Sequence, residues 1–281
     1  MHRNHMLVLT GVFLVLIAVF AFGYLLVPEG AGPVEVRVVP ADDVDWQLLN
    51  PLRGDKSPRA GTLWGNRGAP VPCGFLVKFV DGFSSPPHIH PVTYRGVAIS
   101  GLVHNDVPDA KEVWLPPGSF WTQPAGEVHI TAAKGEKNIA YIEIEKGPYL
   151  VHPADQAFER PETPIKLAPS DMTWKDAVGG AKGAQMVPLA GNPDDETISR
   201  MLLKLPAGFA GLLRSDGSTL HVVVIEGSPT HEVADHSEAT TLEAGSYFGS
   251  DGFVEHQLRV GADAPCLVYV RTLGAIAVVD E

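Results

Sequence analysis

GFSSPPHIHPVTYRGVAISG, Gly82 to Gly101, decides how the rest of the chain is read. Side chains of an extended strand alternate between its two faces, so His88 and His90 project to the same side. The valine- and isoleucine-rich run that follows continues as strand. A second stretch, GSFWTQPAGEVHITAA from Gly118 to Ala133, supplies His129 just after a turn punctuated by proline and glycine. Three imidazoles on neighbouring strands form a donor set for one divalent ion.

Both stretches resemble the paired motifs of the cupin superfamily, G-x5-H-x-H-x3-E-x6-G and G-x5-P-x-G-x2-H-x3-N. Gly82, His88, His90 and Gly101 occupy the first motif, and Gly118, Pro124, Gly126 and His129 the second, with no gap in either spacing. Tyr94 stands where that family carries a glutamate ligand, and Ala133 replaces the closing asparagine. The resemblance implies an all-β chain of cupin barrels, the double-stranded β-helix or jelly-roll, and a divalent metal (iron, zinc or manganese) on His88, His90 and His129. Tyr94, with an ordinary phenol pKa near 10, is expected to stay neutral and to donate a hydrogen bond beside the ion, as the candidate catalytic residue.

The chain repeats itself. PADDVDW ending at Trp46 recurs as APSDMTW ending at Trp174, and TLWGN at 62–66 recurs as PLAGN at 188–192. Gly82 and Phe83 recur as Gly208 and Phe209, an offset of 126, and Gly118 and His129 recur as Gly245 and His256, an offset of 127. A period this long is a domain duplication rather than a solenoid. The many short apolar or alternating runs between turn signals favour antiparallel barrels or sandwiches, and 29 glycines with 24 prolines suit them better than long helices. The expected organisation is an N-terminal membrane segment at 1–28, a first cupin with the metal site at 29–160 and a degenerate second cupin at 161–281.

Met6 to Val27 carries no charge and is as long as the roughly 20 residues that a helix needs to cross a bilayer. It reads as a transmembrane anchor, with a cleaved signal peptide as the alternative, which would make the product secreted. Arg3 before it and Glu29 after it place the barrels on the extracytoplasmic side. In such a compartment Cys73 and Cys266 could bridge the halves, but each sits in an apolar run and is expected as a buried free thiol. A net charge of -12 with no basic block excludes nucleic acid as a partner.

The second half keeps the frame and loses the ligands. Arg214 and Asp216 fill the two histidine places, Leu220 the glutamate place, and His256 alone persists. The expected reading is a barrel retained for packing; the alternatives are an altered metal site from Asp216, His221 and His256, or a carboxylate site on Arg214. His104, in a turn-like His-Asn-Asp, is expected at the surface, and His231 and His236 in a loop. Glu127 is a candidate support or fourth ligand for the site, and Trp121 and Gln123 candidate cavity residues.

Three neutral imidazoles leave the charge of a dication uncompensated and positions open for an oxygen ligand. Beside a purely structural role in storage or as a scaffold, two functions remain open. One is a metalloenzyme acting on a small-molecule substrate, which the resemblance to three-histidine cupin dioxygenases makes a dioxygenase-type oxidoreductase. The other is a non-catalytic metal- or ligand-sensing module, resembling the cupin domain of zinc-dependent anti-sigma factors. Cupins often pair through strand edges, which would give a homodimer.

Overall fold

In the computed structural model, residues 34–190, 198–215, 219–234 and 237–281 are described. The expected membrane segment at 1–28 lies outside them; among the described residues no helix is long and apolar enough to cross a membrane.

The architecture is all-β. In the first barrel one sheet runs, in spatial order, Lys166–Leu167, Phe120–Gln123, Tyr94–Asp106, Ile130–Ile144, Cys73–Phe79, Arg59–Gly65 and Gln47–Leu48, with Phe83–Ser84 paired to the far end of Ile130–Ile144. The strands Tyr94–Asp106 and Ile130–Ile144 are long enough to serve both faces of the barrel, and their pairing shifts register around Ser100. Gly101 makes that bend. Its φ is 72°, and a Cβ there would come within 2.1 Å of the Asn138 amide oxygen, so the residue that closes the first motif has to be glycine. His88–Ile89 pairs with His152–Pro153 and closes the barrel over the site.

The second barrel places a sheet of Glu35–Val39, Tyr247–Asp251, Thr219–Glu226, Cys266–Leu273, Ile198–Leu205, Gln185–Ala190 and Lys175–Asp176 against a sheet of Ser237–Thr241, Thr230–Val233, Glu255–Arg259, Ala210–Ser215 and Ile276–Asp280. Leu203, Leu213, Leu220, Val222, Phe248 and Val268 fill the space between them. Both cysteines are buried free thiols.

The halves exchange edge strands. Glu35–Val39, which precedes the first barrel in the chain, pairs with Tyr247–Asp251 of the second, while Lys166–Leu167, beyond the proline-rich stretch at 161–169, pairs with Phe120 and Trp121 of the first. Each sheet thereby has an edge covered by the other half of the chain.

Between the barrels the two large sheets pack face to face. Leu63, Trp64, Leu76, Val97, Phe120 and Tyr141 meet Leu202, Val223, Tyr247, Leu267 and Tyr269. Strand alternation sends Leu220 and Val222 into the second barrel's core and His221 outward, where its ring stacks on Trp64 at 4.0 Å. Burial, with Arg271 nearby, pushes the His221 imidazole down to about 4.

A charge cluster sits inside this apolar seam. Glu143 of the first barrel is fully buried and takes Arg200 Nε at 2.7 Å, Arg271 Nε at 3.4 Å and the Tyr269 hydroxyl at 3.0 Å, all from the second. Glu145 pairs with Arg271 Nη2 at 3.0 Å and also with Arg200. Burial works against the charge on Glu143, but the two guanidinium groups outweigh it and hold its carboxyl below the ordinary range. Its contribution to stability is therefore complete above the unfolded-chain pKa of about 4.3 and is lost as the pH falls through the lower folded value. Glu143→Leu strands Arg200 and Arg271 beside an apolar side chain, and chemical denaturation at neutral pH should show a loss of about 3–5 kcal/mol. Below pH 3 the wild-type advantage should shrink.

Candidate metal centre

The site is built by backbone pairing before any side chain is considered. His88 and His129 face each other as an antiparallel bridge, each donating its amide to the other's carbonyl at 3.0 Å, so their side chains lie side by side. The amide of Gly126 then reaches the His90 carbonyl at 2.9 Å and ties the second motif's turn to the first motif's strand. Gly126, with φ 80°, is packed against Phe158, leaving no room for a Cβ.

His88, His90 and His129, expected to converge from their spacing, do so: their ring centroids are 4.3 to 5.3 Å apart, and one ring nitrogen from each lies within 4.8 Å of the others. All three are buried. Each Nδ1 is spent on a backbone carbonyl, that of His88 on Pro86 at 2.9 Å, that of His90 on Leu150 at 2.6 Å and that of His129 on Glu127 at 3.1 Å. A carbonyl can only accept, so Nδ1 carries the hydrogen and Nε2 carries the lone pair in every ring. Burial lowers the basicity of all three; His129 is pushed down to about 3, and His90 lies well below the ordinary range, with its histidine neighbours adding to the effect. The rings are thus neutral at physiological pH with their lone pairs turned inward, which is the donor set that a divalent ion needs.

Around the triad runs a directed hydrogen-bond chain. Tyr94, in the place of the family's glutamate, donates its hydroxyl to Asn105 Oδ1 at 2.8 Å. Asn105 Nδ2 donates to Gln123 Oε1 at 2.8 Å, and Gln123 Nε2 to the Glu127 carboxylate at 3.0 Å. The expected donation from Tyr94 into the site is corrected by this geometry. Its proton is used on Asn105, so the oxygen, 3.4 Å from His129 Nε2, offers lone pairs to the site instead. Burial raises its pKa above the usual phenol value, which keeps it neutral. Glu127 acts through its main-chain oxygen on His129 and its carboxylate on Gln123, so its side chain is spent as a support.

Tyr149 was not legible from the motifs. Its ring stacks on His90 at 4.4 Å, and its hydroxyl lies 3.2 Å from His90 Nε2, giving the site the donor that Tyr94 does not supply. It lies beyond the second motif, in the loop after the strand Ile130–Ile144, and only the aromatic residue in GPYLVH could have marked it. Asn105 was masked by its turn-like neighbours. His104, expected at the surface, is buried within Tyr94–Asp106 and bonds through Nδ1 to the Val113 carbonyl at 3.1 Å, on the side away from the site chain.

The second barrel has no equivalent among its described residues. Arg214 pairs with Glu255 at 2.8 Å, and His221 faces the other barrel, while Asp216 and His236 lie outside the described residues. His256 has both ring nitrogens engaged, Nδ1 with His231 at 2.9 Å and Nε2 with Ser250 at 3.1 Å. His231, expected in a loop, is buried in the strand Thr230–Val233.

A pair of jelly-roll barrels, one with three inward-turned histidines, is a cupin-like fold of the two-barrel kind. Residues 37–279 match the family described as a domain of unknown function, DUF4437, and the chain belongs to that family. No curated protein matches it in sequence. Among solved structures it is similar to a Nostoc punctiforme protein described as a "putative dioxygenase", with a TM-score of 0.64 and 17% identity over 88% of this chain and 87% of that one. It is also similar to the oxalate decarboxylase of Lactobacillus farciminis in a formate complex, with a TM-score of 0.59 and 11% identity over 88% and 89%. A mutant of the oxalate decarboxylase of Bacillus subtilis gives a TM-score of 0.58 and 14% identity over 89% and 80%. At these identities the likeness is one of fold.

The geometry makes two variants informative. An ion held by the three rings would lose one donor in His129→Ala, which should weaken metal binding by at least about a hundredfold, more than the ten- to hundredfold typical of a supporting residue. His256→Ala should leave one equivalent of metal bound, as read by elemental analysis after dialysis.

Proposed function

We propose that the chain is a metal-dependent enzyme of dioxygenase type, which binds one iron, zinc or manganese ion through His88, His90 and His129 and acts on a small molecule. The single observation that supports this most is the fixed tautomer of all three rings, which converge where His88 and His90 line one end of a cavity wide enough for a ligand. A bound ion would supply Lewis acidity and, as iron, electron transfer to dioxygen. The protein's own groups do the rest. Tyr149 donates to a ligand oxygen beside His90, Tyr94 accepts from a ligand hydroxyl beside His129, and the Asn105–Gln123–Glu127 chain holds Tyr94 in that role. The "putative dioxygenase" of Nostoc punctiforme adds weight as a neighbour in fold.

A sensing module is the second reading, favoured by a second barrel whose described residues form no metal-binding group. In either reading we propose that the segment at 1–28 serves as a membrane anchor or a cleaved signal peptide, with the barrels outside the cytoplasm in both cases.

The test is anaerobic loading of the full chain with iron(II), then oxygen uptake with a panel of diketones, thiols and phenols. Uptake that needs iron and is lost in His90→Ala is the expected result. In Tyr149→Phe, uptake should fall by about ten- to hundredfold, while metal content stays at one equivalent. Metal retained with no uptake by any loaded form would move the assignment to the sensing module, and no metal retained would sink both.

A further inference from the structure

The cavity that ends at the triad has a volume of about 460 Å³, within the range of pockets that enclose drug-sized ligands and well beyond the needs of a two-carbon acid. Its walls come from strand faces whose alternation is apolar. Val77 and Phe79 project from Cys73–Phe79, Ile142 from the neighbouring strand, and Phe83 closes on Phe79 with ring centroids 5.2 Å apart. Leu49 and Val151 continue this surface to the rim, where Val151 is 64% exposed.

The polar groups that border the cavity are mostly committed elsewhere. The Ser85 hydroxyl accepts from the Thr131 amide at 2.9 Å, the Thr131 hydroxyl donates to Asn105 at 2.8 Å, and the Asn50 side chain accepts from the Leu52 amide at 3.1 Å. A ligand with a polar body would lose its hydration against walls that offer nothing in return, at a cost of order kcal/mol per group. Apart from the Trp121 indole N–H, which lines the cavity without a hydrogen-bond partner among the described residues, the remaining polarity lies at the two ends. At one end stand the His88 and His90 rings, with His129 packed against them, and the Tyr149 hydroxyl, which lies 3.2 Å from His90 Nε2. At the mouth stands Arg53, whose guanidinium lies over the Phe83 ring at 5.1 Å and which pairs with no carboxylate among the described residues. The Arg53 guanidinium at the mouth, and the dication that the neutral histidines would hold at the other end, both disfavour a cationic ligand.

We propose that this site takes a neutral or anionic amphiphile, with an oxygen-bearing head that chelates at the histidine end and an aromatic or branched aliphatic body that lies along Val77, Phe79, Phe83 and Leu49. The assignment rests on the metal site above, so its test separates the two. After zinc content is measured on the full chain, acetohydroxamic acid and 4-phenylbenzohydroxamic acid, which share a chelating head and differ in body, are titrated calorimetrically. The biphenyl compound should bind at least about tenfold more tightly, as expected when one or two rings leave water. The Leu49→Asp/Val151→Asp double variant, made at residues already partly exposed, should keep its zinc and lose most of that preference, as should Phe83→Ser. Biphenyl-4-carboxamide, which lacks the chelating head, reports on the walls without metal and should bind the zinc-free chain and fail to bind the double variant. Equal affinity for the two hydroxamates in zinc-loaded protein would overturn the proposal. If no zinc is retained, the metal reading fails, and the carboxamide alone decides: binding lost in the double variant upholds the apolar cavity, and no binding overturns it.

Discussion

Three main-chain oxygens, those of Pro86, Glu127 and Leu150, set the chemistry of this protein by each accepting one imidazole N–H. A free histidine divides its proton between two nitrogens and turns about χ2. Here the backbone has made that choice beforehand, for every ring and in the same sense. Two of the carbonyls lie within the motifs, and the third comes from the loop after the long strand Ile130–Ile144, so the barrel must close fully before the donor set is complete. Burial then keeps the rings uncharged, and Tyr94 and Tyr149 divide the accepting and donating roles between them.

The duplication shows how little has to change to retire such a site. The second barrel retains the bend, the strand order and one histidine, but that histidine is held between His231 and Ser250 and has no lone pair to spare. An arginine in a former ligand place finds a glutamate on the adjacent strand. What the second half gives in exchange is a wall. Its large sheet covers the outer face of the first barrel's sheet, and Arg200 and Arg271 satisfy a carboxylate that would otherwise be unaffordable at full burial.

Most of the fold and the three histidines were legible because both rest on local regularities. Strand alternation brought His88 and His90 together, fixed spacing placed His129 opposite, and an offset common to several landmarks disclosed the repeat. The contributions that stayed hidden are non-local or depend on direction. Tyr149 enters from a loop, Asn105 sat in what looked like a turn, and the sense of the Tyr94 hydrogen bond follows from its partner rather than from its own chemistry. His104 and His231 differ from expectation for a related reason: polar residues clustered around each of them resemble a loop, whereas a buried partner, the Val113 carbonyl for His104 and His256 for His231, lets each be buried in a strand. The charged seam between the barrels has no periodic signature, because Glu143 continues an apolar strand and its arginines lie far along the chain.

The exchanged edge strands bear on synthesis. Glu35–Val39 leaves the ribosome before any residue of the first barrel, yet its partner, Tyr247–Asp251, is among the last strands to be made. Lys166–Leu167 seals the first barrel only once the chain has passed through the connecting segment. An early barrel can therefore form around its own histidines, but the opening strand stays unclaimed until translation is nearly finished. A protease that cut the connector at 161–165 would not release two independent modules, since each would carry off an edge belonging to the other.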